Sequence, residues 1–411
     1  MVTVRLFAAA IASLGLAWAQ DSVWQSRGFL ENRTMFYPQE ASNDKTQWVN
    51  EWLLRWETRV RLGERWRIFG GLDAQTDTHN QVERNWHLSW WDREIQRPAF
   101  NVRTLFAQYT RGPFRLELGK QVIRWGVGDV FSPTDRVSAR DLLSPSGADN
   151  LGVWAVRAVA DTGPHSLELL YLPRFTPSRV PLVGQRWVVL PDSLKQYRLR
   201  FRGVEYPGGP QFGVRYHGIR RGIEYSGAYF EGFQNLPSLI SRVLYLQKVW
   251  EYKAAYPRIR VAGGDVSAAW RGMVWKAEGA YSWTPTQITD DFISFVVQVE
   301  RVREKWQMVA GYTGLHKTVD RITPYVAIDQ AFTKAFAGRF GWAPKPNNNF
   351  TAEYWLQRNC RAFIGRFLYS REIAPSLRFT GGYIWITGAK DETVGRYSIN
   401  SYATLQLRYS F

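Results

Sequence analysis

The feature that most constrains the fold is a strict two-residue alternation in residues 47–62. One set of alternate positions is apolar and rich in tryptophan: Trp48, Trp52, Leu54, Trp56, Val60 and Leu62. The other set is charged: Glu51, Arg55, Glu57, Arg59 and Arg61. Because successive side chains of a β-strand point to opposite faces, the segment predicts a strand with one apolar and one ionic face. Lipid on the apolar side and water on the charged side suit this pattern better than the core of a soluble sandwich.

The same alternation recurs along the chain between short polar turns. After the turn at 63–65, apolar Trp66, Ile68, Leu72 and Ala74 alternate with polar Arg67, Asp73 and Gln75. Further short turns fall at 110–113, 161–164, 271–272 and 303–305, and longer connections fall near 77–98, 125–150, 174–209, 232–254 and 316–330. Short turns at one rim and long loops at the other are typical of transmembrane β-barrels.

The alternating segments predict 18 strands, at 24–36, 47–62, 65–76, 99–111, 113–124, 152–160, 165–173, 210–218, 222–231, 256–270, 272–283, 292–303, 305–315, 331–342, 348–358, 361–370, 376–387 and 398–411. Residues 174–209 could hide a further hairpin, and the connection at 358–361 is short for an outer loop, so we expect 16–18 strands. Bacterial single-chain barrels have even strand numbers. The predicted fold class is all-β, a single transmembrane antiparallel up-and-down β-barrel of outer-membrane type.

The two ends of the chain carry export and assembly features. Arg5, the apolar run 6–16 and Ala17-Trp18-Ala19 predict a signal peptide at 1–19, cleaved to leave a barrel at 20–411. The alternative is an uncleaved anchor, but a span needs about 20 apolar residues. At the other end, one strand face carries Leu405, Leu407, Tyr409 and Phe411. This ending resembles the C-terminal signal that the outer-membrane barrel-assembly machinery reads; the alternative is a soluble edge strand ending in phenylalanine.

Composition excludes several classes of protein. The chain has 20 tryptophans and 20 tyrosines, the residues that gather at lipid–water interfaces, but no apolar window of 18 residues after residue 19. Its single cysteine, Cys360, excludes an internal disulfide and a cysteine-based zinc site. Its five histidines are scattered, so we expect no metal site and no cofactor. The net charge of +17 is spread over alternating strands rather than gathered in one patch, which argues against nucleic-acid binding.

The segment 118–126, Leu-Gly-Lys-Gln-Val-Ile-Arg-Trp-Gly, resembles a motif of an uncharacterised family of Gram-negative outer-membrane barrels. In that family a Gly-Lys/Arg-Gln strand runs into Trp-Gly and then into a loop with Asp and Pro, here 127–135. Weaker matches are 211–216 and 256–265. Alginate-export and capsule-assembly barrels share looser versions of this motif. Members of the family are usually longer than this chain. The resemblance implies an outer-membrane channel or transport role with undefined cargo.

The motif also poses a problem of side-chain direction. Phe114, Leu116 and Leu118 would face lipid, and strict alternation would send Lys120 and Arg124 the same way, at a cost of about 2–4 kcal/mol each near the midplane. A β-bulge at Gly119 would return both cations to the lumen. The alternative is that Arg124 already lies beyond the hydrocarbon.

Residues 127–150 are too long for a simple turn. They carry Asp129, Asp135, Arg136, Arg140 and Asp141, and residues 138–143 could form a helical turn. We expect this loop to fold into the lumen and narrow it; the alternative is an outward surface loop.

The leading functional hypothesis is a porin-like channel that passes a small or anionic solute by diffusion. The predicted pore-lining residues are Arg55, Arg59, Arg61, Arg67, Lys120, Arg124, Arg136 and Arg140, with Asp129 and Asp135. Rings of basic side chains favour anions, although the cations could instead lie on the rims and bind lipopolysaccharide phosphates. The alternatives are a polysaccharide- or lipid-handling structural barrel, with Trp86, Trp90 and Trp91 stacking sugars or forming an interfacial girdle, and a hydrolase, for which no catalytic motif is evident.

Overall fold

A computed structural model describes residues 23–129, 131–144, 149–189, 196–286, 289–321, 325–327, 334–390, 392 and 394–411. The predicted signal peptide, 1–19, lies outside the described residues. Among those that are described, no helix is long and apolar enough to span a bilayer.

The described chain forms a closed barrel of 18 antiparallel strands, which confirms the predicted fold class. They are β1 (Trp24–Phe36), β2 (Trp48–Leu62), β3 (Trp66–Asp77), β4 (Phe100–Arg111), β5 (Phe114–Gln121), β6 (Val153–Asp161), β7 (His165–Leu172), β8 (Gln211–Arg220), β9 (Ile223–Phe233), β10 (Arg258–Trp270), β11 (Met273–Trp283), β12 (Asp291–Val302), β13 (Trp306–Val319), β14 (Ala335–Lys345), β15 (Asn348–Gln357), β16 (Ala362–Ala374), β17 (Leu377–Gly388) and β18 (Tyr402–Ser410). Pairing of β1 with β18, from Phe29–Ser410 to Phe36–Ala403, closes the barrel.

The two rims of the barrel differ sharply. Turns of two or three residues join each even-numbered strand to the next, from β2–β3 to β16–β17. The start of β1 at Trp24 and the end of β18 at Ser410 lie at this short-turn rim. The connections at the opposite, long-loop rim include 78–99, 122–152, 173–210 and 234–257. In outer-membrane barrels the short turns face the periplasm and the long loops face outward.

The long loops carry the remaining regular structure. Four strands, Arg198–Glu205, Ser238–Leu244, Val249–Ala255 and Tyr325–Ala327, form a separate sheet. The other short elements are the strands Leu88–Ser89, Arg140–Asp141 and Asp149–Asn150 and the 3-10 helices Tyr245–Gln247 and Gly395–Asn400. The described part of 174–209 therefore contributes one strand to this outer sheet and no hairpin to the barrel wall.

Two belts of aromatic side chains mark the outward surface. Trp48, Trp52, Tyr171 and Trp385 are exposed near the long-loop rim, and Trp66, Phe114, Trp270 and Trp342 are exposed near the short-turn rim. Between the belts the exposed outward side chains include Leu72, Leu118, Val156, Val266 and Val297. This distribution matches a hydrocarbon band bounded by two lipid–water interfaces.

The predicted bulge at Gly119 is wrong. β5 keeps continuous register through Gly119 with both β4 and β6. Gly119 has a φ of +130°, and a Cβ there would come within 2.2 Å of the Leu105 carbonyl oxygen, so the residue serves a close approach of strands. The register shift occurs one strand away, between β3 and β4 at Gly71–Leu72. Arg124 lies beyond the end of β5.

The predicted helical turn at 138–143 is also wrong. Arg140 and Asp141 are extended and pair with Asn150 and Asp149. Asp141 is held by guanidinium groups from two other loops, and these contacts favour an extended segment over a local helical turn.

The C-terminal strand presents Leu405, Leu407 and Tyr409 outward, each exposed. Phe411 follows the strand, and its backbone exchanges hydrogen bonds of 2.8 and 2.9 Å with Gly28 of β1. The terminal residue therefore completes the seam at which the barrel closes.

Candidate functional site

The connection after β5, residues 122–152, is called the inner loop below, and its described residues, 122–129, 131–144 and 149–152, contact lumen-facing side chains of the wall. Its Trp125 is buried, donates through Nε1 to the Glu168 carboxylate of β7 at 3.0 Å, and packs edge-on against Phe230 of β9. The glycine at 213 on β8 makes room for the indole, because a Cβ there would lie 2.4 Å from the ring. Apolar loop side chains and lumen-facing wall side chains form one buried cluster, which includes Ile123, Val137, Ala139, Leu151, Leu170, Leu172, Ile259, Val261 and Ala280.

A single wall carboxylate anchors the first half of the inner loop. Glu278 of β11 is 3% exposed and accepts five hydrogen bonds. Oε2 accepts from the backbone N–H groups of Val127 and Gly128 at 2.9 and 3.0 Å. Oε1 accepts from the Ser132 hydroxyl and from the N–H and hydroxyl of Thr134, at 2.7 to 2.8 Å. A carboxylate satisfied in this way fixes a loop without a cationic partner.

Asp129 adds an ionic link next to this anchor. Its carboxylate lies 2.8 Å from the Lys276 ammonium of β11 and accepts from the Gln298 amide of β12 at 2.6 Å. Burial alone would raise the pKa of Asp129, but Lys276 and Gln298 outweigh it and hold that pKa below its usual value.

Asp135, Arg136 and Arg140 lie further along the loop. Asp135 is buried, and burial raises its pKa even though Arg140 lies 3.7 Å away. The Arg136 guanidinium sits 5.8 Å from the ring centre of Phe292 on β12. The Arg140 backbone N–H donates to the Ser178 hydroxyl in the loop after β7. Arg136 therefore faces β12, whereas Asp135 and Arg140 make contacts within the loops.

The second half of the inner loop is held by ion pairs. Arg55 of β2 donates to both carboxylate oxygens of Asp73, at 2.8 and 2.9 Å, and to Asp149 of the loop at 2.5 Å. Arg103 of β4 binds the same Asp149 carboxylate at 2.9 and 3.1 Å. Burial alone would raise the pKa of Asp149, but Arg55 and Arg103 hold that pKa below its usual value.

A second loop carboxylate, Asp141, extends this ionic framework. Arg97 binds it in a bidentate manner at 2.8 and 2.9 Å, and Arg179 approaches it to 3.4 Å. Burial opposes ionisation of Asp141, yet the two guanidiniums keep its pKa lowered. Arg179 also binds Asp92 at 2.6 Å, and Asp92 binds Lys120 at 2.5 Å. Lys120 and Asp92 are fully buried, so this lysine is a structural ion-pair partner.

The same network continues along the wall to the seam of the barrel. Arg97 contacts Glu51 of β2 at 3.3 Å, and Glu51 lies 3.7 Å from Arg33 of β1. Arg33 binds Glu31 at 2.9 Å, and Glu31 binds Arg408 of β18 at 2.5 Å. Alternating charges therefore link the inner loop, two outer loops and the strands that close the barrel.

These groups surround a cavity of about 260 Å³ beside the inner loop. Its charged lining comprises six arginines, Arg33, Arg55, Arg97, Arg103, Arg179 and Arg408, and six acids, Glu31, Glu51, Asp73, Asp77, Asp141 and Asp149. The site is therefore a polar cavity with closely apposed charges of both signs. Because the surroundings are partly desolvated, interactions between these charges and a solute are stronger than in bulk water.

Of the ten predicted pore-lining residues, Arg55 is the one that lines this cavity. Arg59, Arg61 and Arg67 are exposed near the short-turn rim, where Arg59 donates to Gln25 and Arg61 lies opposite Arg67. Arg124 is exposed between buried Ile123 and Trp125. Arg97, Arg103, Asp149 and Glu278 were not among the residues predicted from the sequence. Alternation could have placed Glu278 on the lumen face. It could not have identified the loop that Glu278 binds, because those partners lie about 150 residues earlier in the sequence.

Three of the five histidines have side-chain partners. His79 binds Asp44 at 2.8 Å in a buried contact between two outer loops, His87 lies near Glu83 and Glu94, and His165 contacts the Tyr216 hydroxyl. None of these pairs includes a serine or cysteine. In the described parts of the chain, no group of three or more His, Cys, Asp or Glu side chains could hold a metal ion.

The strands, the rims and the inner loop together define a transmembrane β-barrel with a constricted lumen, and solved structures share this fold. A BenF-like porin from Pseudomonas fluorescens Pf-5 matches 96% of this chain and 99% of its own, at 6% identity and a TM-score of 0.55. Acinetobacter baumannii OccAB4 matches 95% and 99%, at 9% identity and a TM-score of 0.53. Pseudomonas aeruginosa OccK5 (OpdH) matches 94% and 97%, at 9% identity and a TM-score of 0.51.

At these identities the likeness establishes a porin-type barrel fold. No protein-family model and no curated protein sequence matches the chain. The family resemblance of segment 118–126 therefore stays a prediction.

Proposed function

We propose that this protein is an outer-membrane channel through which small polar solutes diffuse past the inner loop. The observation that carries the proposal is the charged cavity between that loop and β1–β4, where Arg55, Arg103 and Asp149 meet. A purely structural barrel does not require a polar cavity lined by paired charges. The fold shared with porins of Pseudomonas and Acinetobacter supports the same conclusion.

Among small solutes, we propose a preference for anions. Six carboxylates balance the six arginines that line the cavity, but a guanidinium has five N–H donors and each pairing uses only some of them. Arg55 and Arg103 share Asp149, whose side chain is 43% exposed. A carboxylate or phosphate of a passing solute can use the remaining donors, whereas a cation must compete with arginines for every acid.

The proposed location is the bacterial outer membrane, reached after cleavage of a signal peptide at 1–19. Proposed partners are outer-membrane lipid, lipopolysaccharide, and the barrel-assembly machinery through the C-terminal strand. The outward face of Leu405, Leu407 and Tyr409 and the position of Phe411 at the seam support recognition of this strand during closure.

Planar-bilayer recording of the purified protein in asymmetric salt tests the channel proposal. We expect discrete conductance steps and a reversal potential that shows a higher permeability for anions than for cations. Replacing residues 131–144 with a short Gly-Ser linker should raise single-channel conductance several-fold, because that segment occupies the lumen. A barrel that conducts nothing before and after this replacement would refute the channel, and a cation-side reversal potential would refute only the anion preference.

A further inference from the structure

On the outward face of β9–β12, charged side chains lie next to an apolar groove. Ile259 and Val261 of β10 belong to the buried cluster inside the lumen. Strand alternation therefore directs their neighbours Arg258 and Arg260 outward. On the adjacent strand β9, Tyr229 is exposed, and Glu231 shares its face. Two arginines and one glutamate thus lie on the outer surface of the barrel wall.

These three side chains form a cluster with excess positive charge. The Glu231 carboxylate lies 2.8 Å from the Arg258 guanidinium and 3.3 Å from that of Arg260. Both arginine side chains remain about two-fifths exposed, at 41% and 40%. One carboxylate cannot occupy the donors of two guanidinium groups, so donors remain for an external anion.

Aromatic rings place this cluster at the height of a lipid–water interface. Trp283 of β11 lies directly opposite Arg260, and its ring is 6.3 Å from that of Tyr229 and 5.3 Å from that of Tyr281. The Tyr229 hydroxyl donates to Glu231 at 3.3 Å. Tryptophan and tyrosine with this arrangement mark the headgroup region, here near the long-loop rim.

An apolar groove of about 430 Å³ lies below the cluster. Gly227, Gly264 and Gly279 are opposite one another in register on three adjacent strands, so the wall has no side chains along this line. Exposed Val266, Phe295 and Val297 border the groove, and no residue of the inner loop lines it. Gly264 follows Arg260 by four residues, or about 13 Å along an extended strand, which is within the reach of one acyl chain.

We propose that this face binds one molecule of lipid A from the outer leaflet, with a phosphate on Arg258 and Arg260 and an acyl chain along the groove. The assignment to the outer leaflet rests on the proposed outer-membrane location, with the long-loop rim facing outward. Guanidinium donors match phosphate oxygens in charge and geometry. The groove offers an acyl chain an apolar surface without protruding side chains along the glycine line.

Native mass spectrometry of the purified barrel in detergent tests this assignment. The probes are bisphosphorylated lipid A, the same lipid without phosphates, and phosphatidylglycerol. The R258Q/R260Q variant should bind bisphosphorylated lipid A roughly 30-fold more weakly, as expected from about 1 kcal/mol for each basic side chain near a lipid phosphate. The matched control is R220Q/R221Q, which removes two exposed charges at the short-turn rim and should bind like the parent protein.

A second variant tests the groove separately. Gly279 lines the groove, and a Cβ there meets no atom closer than 3.9 Å, so Gly279→Leu fills the groove without disturbing the wall. It should weaken binding of both forms of lipid A, whereas Ala107→Leu on the outward face of β4 should not. Equal binding by all four variants, or equal binding of phosphatidylglycerol to the parent, would overturn the proposal. Because lipid binding is measured on the purified protein, its result does not depend on whether the protein conducts ions in a bilayer recording.

Discussion

The two halves of the inner loop are attached differently: the first mainly by neutral donors on one wall carboxylate, with a single ion pair at Asp129, and the second by ion pairs. In 126–134, the wall residue Glu278 supplies a carboxylate, and backbone N–H groups and hydroxyls of the loop donate to it. In 135–152, the loop supplies the carboxylates Asp141 and Asp149, and guanidiniums of the wall and outer loops bind them. Salt weakens the ion pairs of the second half more than the hydrogen bonds of neutral donors in the first, so the halves should loosen at different salt concentrations.

The largest effect is expected from Glu278→Ala. This change leaves the donors of Val127, Gly128, Ser132 and Thr134 without their acceptor inside the barrel. Five lost hydrogen bonds at about 1 kcal/mol each should free the first half of the loop. Single-channel recording should show a higher conductance and greater open-channel noise, at low and high salt alike.

The matched control is Glu57→Gln, which alters an acid near the short-turn rim paired with exposed Arg27. It should leave conductance unchanged. Glu278→Gln keeps one carbonyl acceptor and should fall between the parent and the alanine variant. A Glu278→Ala channel with parental conductance and noise would contradict the role of this anchor.

A smaller effect is expected from Asp149→Asn. The substitution removes the charge that Arg55 and Arg103 share, and leaves both guanidiniums facing the cavity. The second half of the loop should loosen by about 1 kcal/mol, and the reversal potential should move further toward anions. This shift should shrink as salt rises, because mobile ions screen partly exposed charges. A shift toward cations would contradict the assigned position of Asp149 beside Arg55 and Arg103 in the cavity.

The pH dependence of the second half should follow from its two ion-paired aspartates. The pKa values of Asp141 and Asp149 are held below their usual range by Arg97, Arg179, Arg55 and Arg103. Their contribution to stability is therefore present above the unfolded aspartate pKa of about 3.9, and is lost as pH falls through the lower folded values. Asp135, whose pKa is raised by burial, instead favours the folded state as it takes up a proton. We expect steady channel noise from pH 7 to 5, with a rise only below about pH 4; an Asp149→Asn channel should show a smaller rise.

Most of the wall could be predicted from sequence, because alternation is a local property. The strand predicted at 47–62 is observed at Trp48–Leu62, and that at 65–76 is observed at Trp66–Asp77. The last predicted strand, 398–411, is shorter because residues 395–400 form a 3-10 helix. Side-chain parity also placed Arg55 on the water-facing surface, where it lines the cavity.

The site was harder to predict because its contacts join residues far apart in the chain. Lys120 forms an ion pair with Asp92, a residue of the long loop 78–99. Glu278 binds a loop that leaves the wall six strands earlier in the chain. Alternation gives the face on which a side chain lies, but not its height along the barrel. Height is what separates Arg55, at the constriction, from Arg59 and Arg61 on the same strand face.

This difference in height leads to the smallest expected effect. Arg59 and Arg61 are exposed near the short-turn rim, whereas the Arg55 side chain is 13% exposed between Asp73 and Asp149. At 0.1 M salt the screening length is about 10 Å, so charges in the open part of the lumen influence ions only nearby. Arg55→Gln should move the reversal potential toward cations, since two acids then line the constriction without their shared partner. Arg59→Gln with Arg61→Gln should move it less than half as far, although two charges are removed instead of one. Recording both variants in asymmetric 0.1 M and 1 M salt checks the ordering, and an equal or larger shift for the double variant would place the selective region at the short-turn rim.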